Sequence, residues 1–144
     1  MKPFPLQSVL ELMQTRMDEA TNRLARLIAN EKNEKDKLEL LDHYRGEYAA
    51  RFHESSQNGL TPSEWKNYRE FLDRLDEAIA SQKKVVEQQV QNTRRGQEEW
   101  KAQQKKLKAF DTLAERHLAN EQVRESRMEQ KRQDEFAIRQ KKEE

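Results

Sequence analysis

The chain has 144 residues, of which 38% are charged and only 33% are hydrophobic, with 28 basic and 27 acidic side chains. This composition is too polar for the core of a globular α/β or β domain, but it suits a coiled coil, which buries only a narrow stripe. The charges are interspersed and form no block of the kind that binds nucleic acid. The lack of cysteine excludes a disulfide framework and thiolate chemistry.

The N-terminal stretch bears on the location of the protein. Gln7, Ser8 and Glu11 interrupt any apolar run behind Met1. The sequence therefore predicts neither a signal peptide nor a segment long enough to cross a bilayer. We expect a cytoplasmic protein without direct membrane insertion.

The first predicted element is a helix over residues 6–53, in which apolar residues recur at alternating spacings of three and four. This period of 3.5 residues indicates two helices that pack along a narrow seam. Glu31 and Glu34 interrupt the seam with a polar layer, which either fixes the register or loosens the packing locally. The two seam positions hold Leu10, Met17, Leu24, Leu38 and Phe52, and Met13, Ala20, Leu27, Leu41 and Tyr48.

The second predicted element is a turn over residues 54–61. Asn58 and Gly59 tolerate positive φ angles, which suits a tight reversal of the chain. Thr61, Pro62 and Glu64 then form a helix start, with Thr61 as the N-cap and Glu64 completing a capping box. Because the connection is short, the two helices are predicted to pack antiparallel.

The third predicted element is a helix over residues 62–140 that continues the seam and carries Gly96 in its middle. This glycine permits either a bend or a close approach of the helices. In the antiparallel pairing Phe52 meets Trp65 and Tyr48 meets Tyr68. We therefore predict one all-α domain over residues 1–144, a long antiparallel two-helix coiled coil or α-hairpin.

In this pairing the first helix runs out near residue 109, so the second helix overhangs beyond about residue 110. A lone helix in water is weak without a packed face. Either the overhang frays or another protein holds it, and the apolar side chains that remain favour the second interpretation. These side chains are Leu113, Leu118, Val123, Met128, Phe136 and Ile138.

The sequence contains no recognisable catalytic, metal-binding or phosphate-binding motif. His43, His53 and His117 have no partners at metal-ligand spacing, and the chain has no glycine-rich phosphate loop and no nucleophile elbow. The many carboxylates alternate with basic residues at helical spacing, which is typical of exposed ion pairs. We predict that the protein is not an enzyme and that it has no cofactor, no metal site and no nucleic-acid partner.

Aromatic residues gather near the predicted turn. Those on the seam are interpreted as a plug that seals the tip of the coil. Tyr44 and Phe71 fall one position off the seam, so they flank it, and exposed aromatic residues of this kind are good binding anchors. The full set is Tyr44, Tyr48, Phe52, Trp65, Tyr68 and Phe71.

Specific sequence motifs point to a family. These motifs are Tyr44-x-x-x-Tyr48, Gly59, Trp65-x-Asn67-Tyr68-x-x-Phe71-x-x-x-Leu75-x-x-Ala78-Ile79, Thr112-Leu113-x-Glu115-Arg116 and Asp134-Glu135-Phe136-Ala137. With these motifs the chain beyond about residue 38 resembles the flagellar FliJ family, whereas the first helix up to Glu34 matches in periodicity alone.

The resemblance implies a component of the bacterial flagellar type III export apparatus, located in the cytoplasm and peripherally at the inner membrane. Family members are antiparallel coiled coils similar to the stalk, or γ subunit, of rotary ATP synthases. Their chain ends are expected to enter the pore of the hexameric export ATPase and promote its assembly and activity. Their turn region is expected to engage the cytoplasmic domain of the export gate protein FlhA, and they help deliver export chaperones. An elongated monomer is expected.

The resemblance also suggests binding residues. Carried over by match, the export-gate patch is Leu41, Tyr44, Tyr48, Phe71, Leu75 and Ala78, bordered by Lys37 and Gln82. The surface expected in the ATPase ring comprises Leu113, Leu118, Val123, Met128 and Phe136, with Leu10 and Met13.

Two alternatives remain open from the sequence. One is a generic structural coiled-coil adaptor, including a homodimer joined through the overhanging helices. The other is the equivalent stalk of a virulence type III secretion system, although the Asp134–Ala137 ending favours the flagellar branch.

Overall fold

A computed structural model describes residues 1–143 of the chain and contains two helices, α1 (Gln7–Gln57) and α2 (Pro62–Glu143). No strand occurs among these described residues. The two helices pack against each other and are joined by a short connection, so the predicted all-α hairpin is confirmed. The description of the chain as a single domain stays a prediction.

The connection is shorter than the sequence indicated, because α1 continues to Gln57 rather than ending at residue 53. Local hydrogen bonds hold this extra turn: the Ser56 hydroxyl donates to the His53 carbonyl at 2.7 Å, and Asn58 N–H donates to the Glu54 carbonyl at 3.4 Å. Gly59 then takes a φ of 91°, the left-handed conformation that a glycine adopts without strain.

The start of α2 follows the predicted cap. The Thr61 hydroxyl accepts a hydrogen bond from Glu64 N–H at 3.2 Å, and the Thr61 carbonyl accepts one from Trp65 N–H at 3.0 Å. Pro62 occupies the first helical position, where its missing N–H leaves no helical hydrogen bond unmade. The helix runs three residues past the predicted end at residue 140.

The chain divides into two compact units, and Thr21–Glu99 forms one of them. Gly96 is buried in this unit, and a Cβ atom added to it would lie 2.5 Å from the Leu27 side chain. The residues around Gly96 stay helical, so this glycine allows a close approach of α1 rather than a break in α2.

The polar layer also lies in this unit. Gln82 donates its side-chain amide to both the carbonyl and the carboxylate of Glu34, at 3.0 and 2.6 Å. The Thr93 hydroxyl lies 3.3 Å from the Leu27 carbonyl and 3.0 Å from the Gln89 carbonyl. The gap in the apolar seam is therefore bridged by hydrogen bonds between the helices, from Gln82 to Glu34 and from Thr93 to Leu27, while the bond from Thr93 to Gln89 lies within α2.

The other unit comprises Met1–Ala20 and the part of α2 from Trp100 onward. Leu10 and Met13 are each 7% exposed, and Ala20 is also buried. The residues before α1 continue along α2: Lys2 N–H donates to Glu121 at 3.3 Å, and the ring of Phe4 lies 5.6 Å from that of His117.

This N-terminal segment corrects the predicted overhang. Glu121, which is 9% exposed, is the last buried residue of α2, and the Met1 ammonium lies 2.9 Å from the exposed carboxylate of Glu125. Contact with the N-terminal segment therefore extends to residue 125, and the uncovered part begins beyond that residue instead of at about 110. The physical reason is that the non-helical residues before Gln7 cover a further part of α2, which a prediction based on helix pairing alone left out.

Candidate functional site

An aromatic cluster joins α1 and α2 near the turn. The ring centroids of Tyr48 and Tyr68 are 5.3 Å apart, and those of Phe52 and Trp65 are 6.4 Å apart. Both predicted pairs are therefore confirmed. Phe71 packs still closer on Tyr48, at 4.3 Å, with the rings tilted as aromatic pairs prefer.

An open groove runs beside this cluster, and we call it the aromatic groove. It encloses about 350 Å³, and its apolar surface is partly uncovered because Tyr44 is 51% and Phe71 42% exposed. Both residues flank the seam as their sequence positions predicted. The lining residues are Tyr44, Glu47, Tyr48, Arg51, Phe71 and Leu75.

Four of the eight residues predicted to bind the export gate line this groove: Tyr44, Tyr48, Phe71 and Leu75. The other four lie outside its lining. Leu41 is half-buried, and Ala78 is exposed on the following turn of α2.

The two predicted border residues belong to the polar layer. Gln82 is engaged with Glu34, and the Lys37 ammonium lies 3.3 Å from the same carboxylate. Hydrogen bonding by Gln82, followed by the interaction with Lys37, lowers the pKa of Glu34 below its ordinary value. Both side chains therefore have a structural role in the polar layer.

Sequence reasoning missed three residues at the aromatic groove. Leu40 is 51% exposed and precedes Tyr44 by one helical turn, while Glu47 and Arg51 form part of the lining. The spacings from Leu40 to Arg51 are four, three and four residues, which places them on one face of α1. That spacing is the available signal, and it lies outside the seam and its aromatic residues.

An ion pair fixes the two helices next to the groove. Arg45 Nε lies 2.5 Å from Asp76 Oδ1, and a second guanidinium nitrogen lies 3.5 Å from Oδ2. The hydrogen bond from Arg45 lowers the pKa of Asp76 and raises that of Arg45 itself. This two-point contact links α1 to α2 beside the residues that line the groove.

The apolar residues of the C-terminal part of α2 form a second candidate surface. From Leu113 to Met128 they recur every five residues, and each step of five residues turns about 140° around a helix. They therefore spiral around α2 instead of forming one stripe. Leu113, Leu118, Val123, Met128 and Phe136 are all exposed.

Leu10 and Met13 were predicted for this same surface, but α2 covers both side chains. They contribute to the interhelical core, so the candidate surface consists of the exposed residues of α2 only.

The histidines make local contacts. His43 lies 3.1 Å from Glu47, His53 lies 3.3 Å from Gln57, and His117 contacts the Lys2 carbonyl at 3.0 Å. Within residues 1–143, no group of three His, Cys, Asp or Glu side chains is placed to hold a metal ion. In the same residues, neither helix has a stretch apolar enough to cross a membrane.

Comparison with known proteins decides the family. The sequence profile of the family described as Flagellar FliJ protein matches residues 1–143. The chain belongs to the flagellar FliJ family. It is 28% identical to the flagellar FliJ protein of Salmonella typhi over 134 residues, which cover 93% of this chain and 91% of that protein. It is 27% identical to the flagellar FliJ protein of Escherichia coli K12 over the same shares of the two chains.

A solved structure supports the fold of this FliJ family member. The structure is described as that of a YscO homologue, CT670, from Chlamydia trachomatis, and it matches with a TM-score of 0.59. The match covers 95% of this chain and 93% of that chain at 19% sequence identity. At this identity the likeness concerns the fold alone. Membership of the FliJ family makes the chain a component of a type III protein export apparatus of the flagellum.

Proposed function

We propose that this FliJ family member is a non-catalytic coiled-coil stalk that links the flagellar export ATPase to the export gate. In this proposal the aromatic groove binds the cytoplasmic domain of the gate protein FlhA. The exposed part of α2 binds the ATPase hexamer and promotes its assembly and activity. The protein also helps deliver export chaperones, and it acts in the cytoplasm, peripherally at the inner membrane. The observation that carries the proposal is the presence of two separate exposed apolar surfaces on a chain of this family.

The aromatic groove supports the first contact. Tyr44 and Phe71 expose large parts of their ring surfaces, 51% and 42% of each residue. Aromatic side chains in partly desolvated pockets contribute much of the binding energy at protein interfaces. Tyr48 and Leu75 are half-buried beneath them, so they act both in the fold and in the floor of the groove.

The exposed part of α2 supports the second contact. An isolated helix of this kind gains little stability in water, and its apolar side chains point to several sides rather than to one. Such a helix is best covered by a partner that surrounds it. The central pore of a protein ring has this geometry, whereas a single flat partner would cover only part of the spiral.

The gate contact can be tested with two single variants. Tyr44→Ala and Phe71→Ala are expected to weaken binding of purified FlhA cytoplasmic domain by about tenfold or more, because each removes a central aromatic contact. Circular dichroism of both variants and thermal unfolding of Tyr44→Ala should stay close to those of the wild type, whereas Phe71→Ala should also lose some stability because Phe71 packs on Tyr48 at 4.3 Å. Leu12→Ala is the matched control, since Leu12 is an exposed apolar residue of α1 outside the groove.

Loss of stability in parallel with loss of binding in Tyr44→Ala would contradict the gate assignment of Tyr44, because it would identify this residue as core. Wild-type binding by both variants would contradict it as well.

The second candidate function is that of a structural coiled-coil adaptor that forms a homodimer. The same exposed residues of α2 favour it. Two copies could bury Val123, Met128 and Phe136 against each other. Light scattering over a range of concentrations separates the two candidates: the stalk proposal predicts the mass of a monomer, and a concentration-independent dimer would favour the structural adaptor.

A further inference from the structure

One face of α2 carries positive charge that the apolar surface does not account for. Residues spaced by three and four positions from Lys106 to Lys131 lie on one side of the helix, over about 38 Å at 1.5 Å per residue. We call this face the basic row. Its residues are Lys106, Ala109, Leu113, Arg116, Asn120, Arg124, Arg127 and Lys131.

We propose that the basic row is an electrostatic docking face for an acidic protein surface, one that presents a central line of carboxylates with apolar side chains on either side. The inference rests on the proposed function, because it assigns the chemistry of the partner surface that encloses this part of α2.

All eight residues of the row are exposed, and none of them is acidic. The row is therefore more basic than the whole chain, which has nearly equal numbers of basic and acidic side chains, 28 and 27. The seam of α2 in this unit, at Leu107, Ala114 and Glu121, lies on a neighbouring face. The side chains of the row therefore stay exposed, although the N-terminal segment packs against the seam and places Met1 and Lys2 beside Arg124.

The charges of the row are also not neutralised within the chain. Only Arg124 has an acidic neighbour, Glu121, at a long 3.9 Å. In the described part of the chain the other four cations of the row form no ion pair. Basic residues elsewhere do so at shorter distances, as Lys35 does with Glu31 at 3.1 Å and Arg45 with Asp76 at 2.5 Å. Free cations in a row attract a complementary anionic surface and speed its association.

The apolar neighbours of the row favour a protein as the anionic partner. An open groove of about 550 Å³ brings Val123 and Met128 beside Arg124, Arg127 and Lys131. Guanidinium groups bind carboxylates at two points, and apolar side chains beside them help to exclude water from these contacts.

Two other anionic partners fit the row less well. Proteins that bind single-stranded nucleic acid along a groove use aromatic stacking platforms, and the row contains no aromatic residue. A helix that lies in a membrane surface places a broad apolar face toward the lipid and its cations at the edges. Here the cations occupy the centre of the face, and Leu113 is the one large apolar residue among them.

The test compares two variants of the full-length protein. Each replaces three basic residues by glutamate, so the two variants have the same net charge. The row variant is Lys106→Glu, Arg127→Glu and Lys131→Glu. The control variant is Lys101→Glu, Lys108→Glu and Arg139→Glu, which changes two lysines and one arginine of α2 outside the row. Binding to the purified export ATPase is measured at about 50 and 300 mM salt, and circular dichroism checks helicity. A second pair of variants with Gln in place of Glu covers the case in which the reversals disturb the helix.

We expect the row variant to bind the ATPase at least tenfold more weakly, with a smaller dependence on salt, and the control variant to bind within about twofold of the wild type. Equal losses in both variants, or no loss in either, would overturn the inference while leaving the ATPase contact in place. Binding to phosphatidylglycerol vesicles that depends on the row, with ATPase binding unaffected, would assign the row to a membrane and overturn it too.

A wild-type chain that does not bind the ATPase would contradict the proposed function instead. Poly-L-glutamate then serves as the acidic probe at about 150 mM salt. Loss of this binding in the row variant alone would support the basic row as an acidic-partner site, and equal binding by the two variants would overturn it.

Discussion

Gln82 donates one side-chain amide group to two oxygens of Glu34, the carbonyl at 3.0 Å and a carboxylate oxygen at 2.6 Å. The amide thereby binds the backbone of α1 as well as a side chain. A one-turn slip of the helices would break both hydrogen bonds and leave polar groups without partners between the helices. Of the two interpretations that the sequence left open, the contact favours a device that fixes the register.

The first prediction concerns the ionisation of Glu34. Gln82→Ala should raise the pKa of Glu34 toward its ordinary value, because the hydrogen bond from Gln82 is the largest cause of its lowering. NMR titration of the carboxyl carbon measures this shift, and the pKa of Asp76 serves as the internal control because Arg45 sets it. An unchanged pKa of Glu34 in the variant would contradict the account.

The sign of the pH dependence follows from the same contact. Because folding lowers the pKa of Glu34, its contribution to stability is present above the ordinary pKa of a glutamate, about 4.3. The contribution is lost as the pH falls through the lower, folded-state value. Gln82→Ala should reduce this acid-side loss, which denaturation curves at pH 7 and at about pH 3 can compare.

A second prediction separates two helical glycines. Gly46 has no atom within 4 Å of an added Cβ, so Gly46→Ala should raise the free energy of unfolding by about 0.5–1 kcal/mol. Gly96→Ala should raise the free energy of unfolding by less than Gly46→Ala does, or should lower it, because the Leu27 side chain must move to admit the methyl group. Chemical denaturation measures both, and equal stabilisation by the two substitutions would show that no close approach occurs at Gly96.

The role of Leu10 and Met13 gives a third prediction. Each is 7% exposed, so Leu10→Ala and Met13→Ala should each cost about 2 kcal/mol or more in the free energy of unfolding. Leu12→Ala, on the exposed side of the same helix, should change it by less than about 0.5 kcal/mol. If the buried pair were as tolerant as Leu12, they would not belong to the interhelical core.

The seam and its aromatic pairs were predictable because they depend on a helical period alone. Phe52 meets Trp65 and Tyr48 meets Tyr68 once two regular helices are joined by a short turn. The end of α1 depended instead on side-chain hydrogen bonds such as that from Ser56, which have no periodic signal.

Non-helical structure and surface side chains explain the remaining differences. The segment before Gln7 has no repeat, yet Lys2 and Phe4 reach Glu121 and His117, so the uncovered part of α2 starts later than the pairing predicted. The groove contribution of Arg51 depends on the position of a long exposed side chain, which the seam pattern does not determine.

A fourth prediction concerns Leu40, which lies outside the gate patch predicted from the sequence. Leu40 is exposed next to Tyr44, so Leu40→Ala should weaken binding of the FlhA cytoplasmic domain several-fold and leave the unfolding temperature nearly unchanged. Ile28→Ala is the matched control, because Ile28 is an exposed residue of α1 away from the groove. Equal affinities for the two variants would restrict the gate surface to the groove lining.

The most direct test of the stalk proposal is ATP hydrolysis by the purified export ATPase, measured together with its fraction of hexamers, with and without this protein. We predict that the wild-type chain raises both quantities. A variant with Val123→Ser, Met128→Ser and Phe136→Ser should lose the effect, whereas Leu12→Ser with Ile28→Ser should keep it. No effect of the wild-type chain, or an undiminished effect of the triple variant, would contradict the assignment of the ATPase contact to the exposed part of α2.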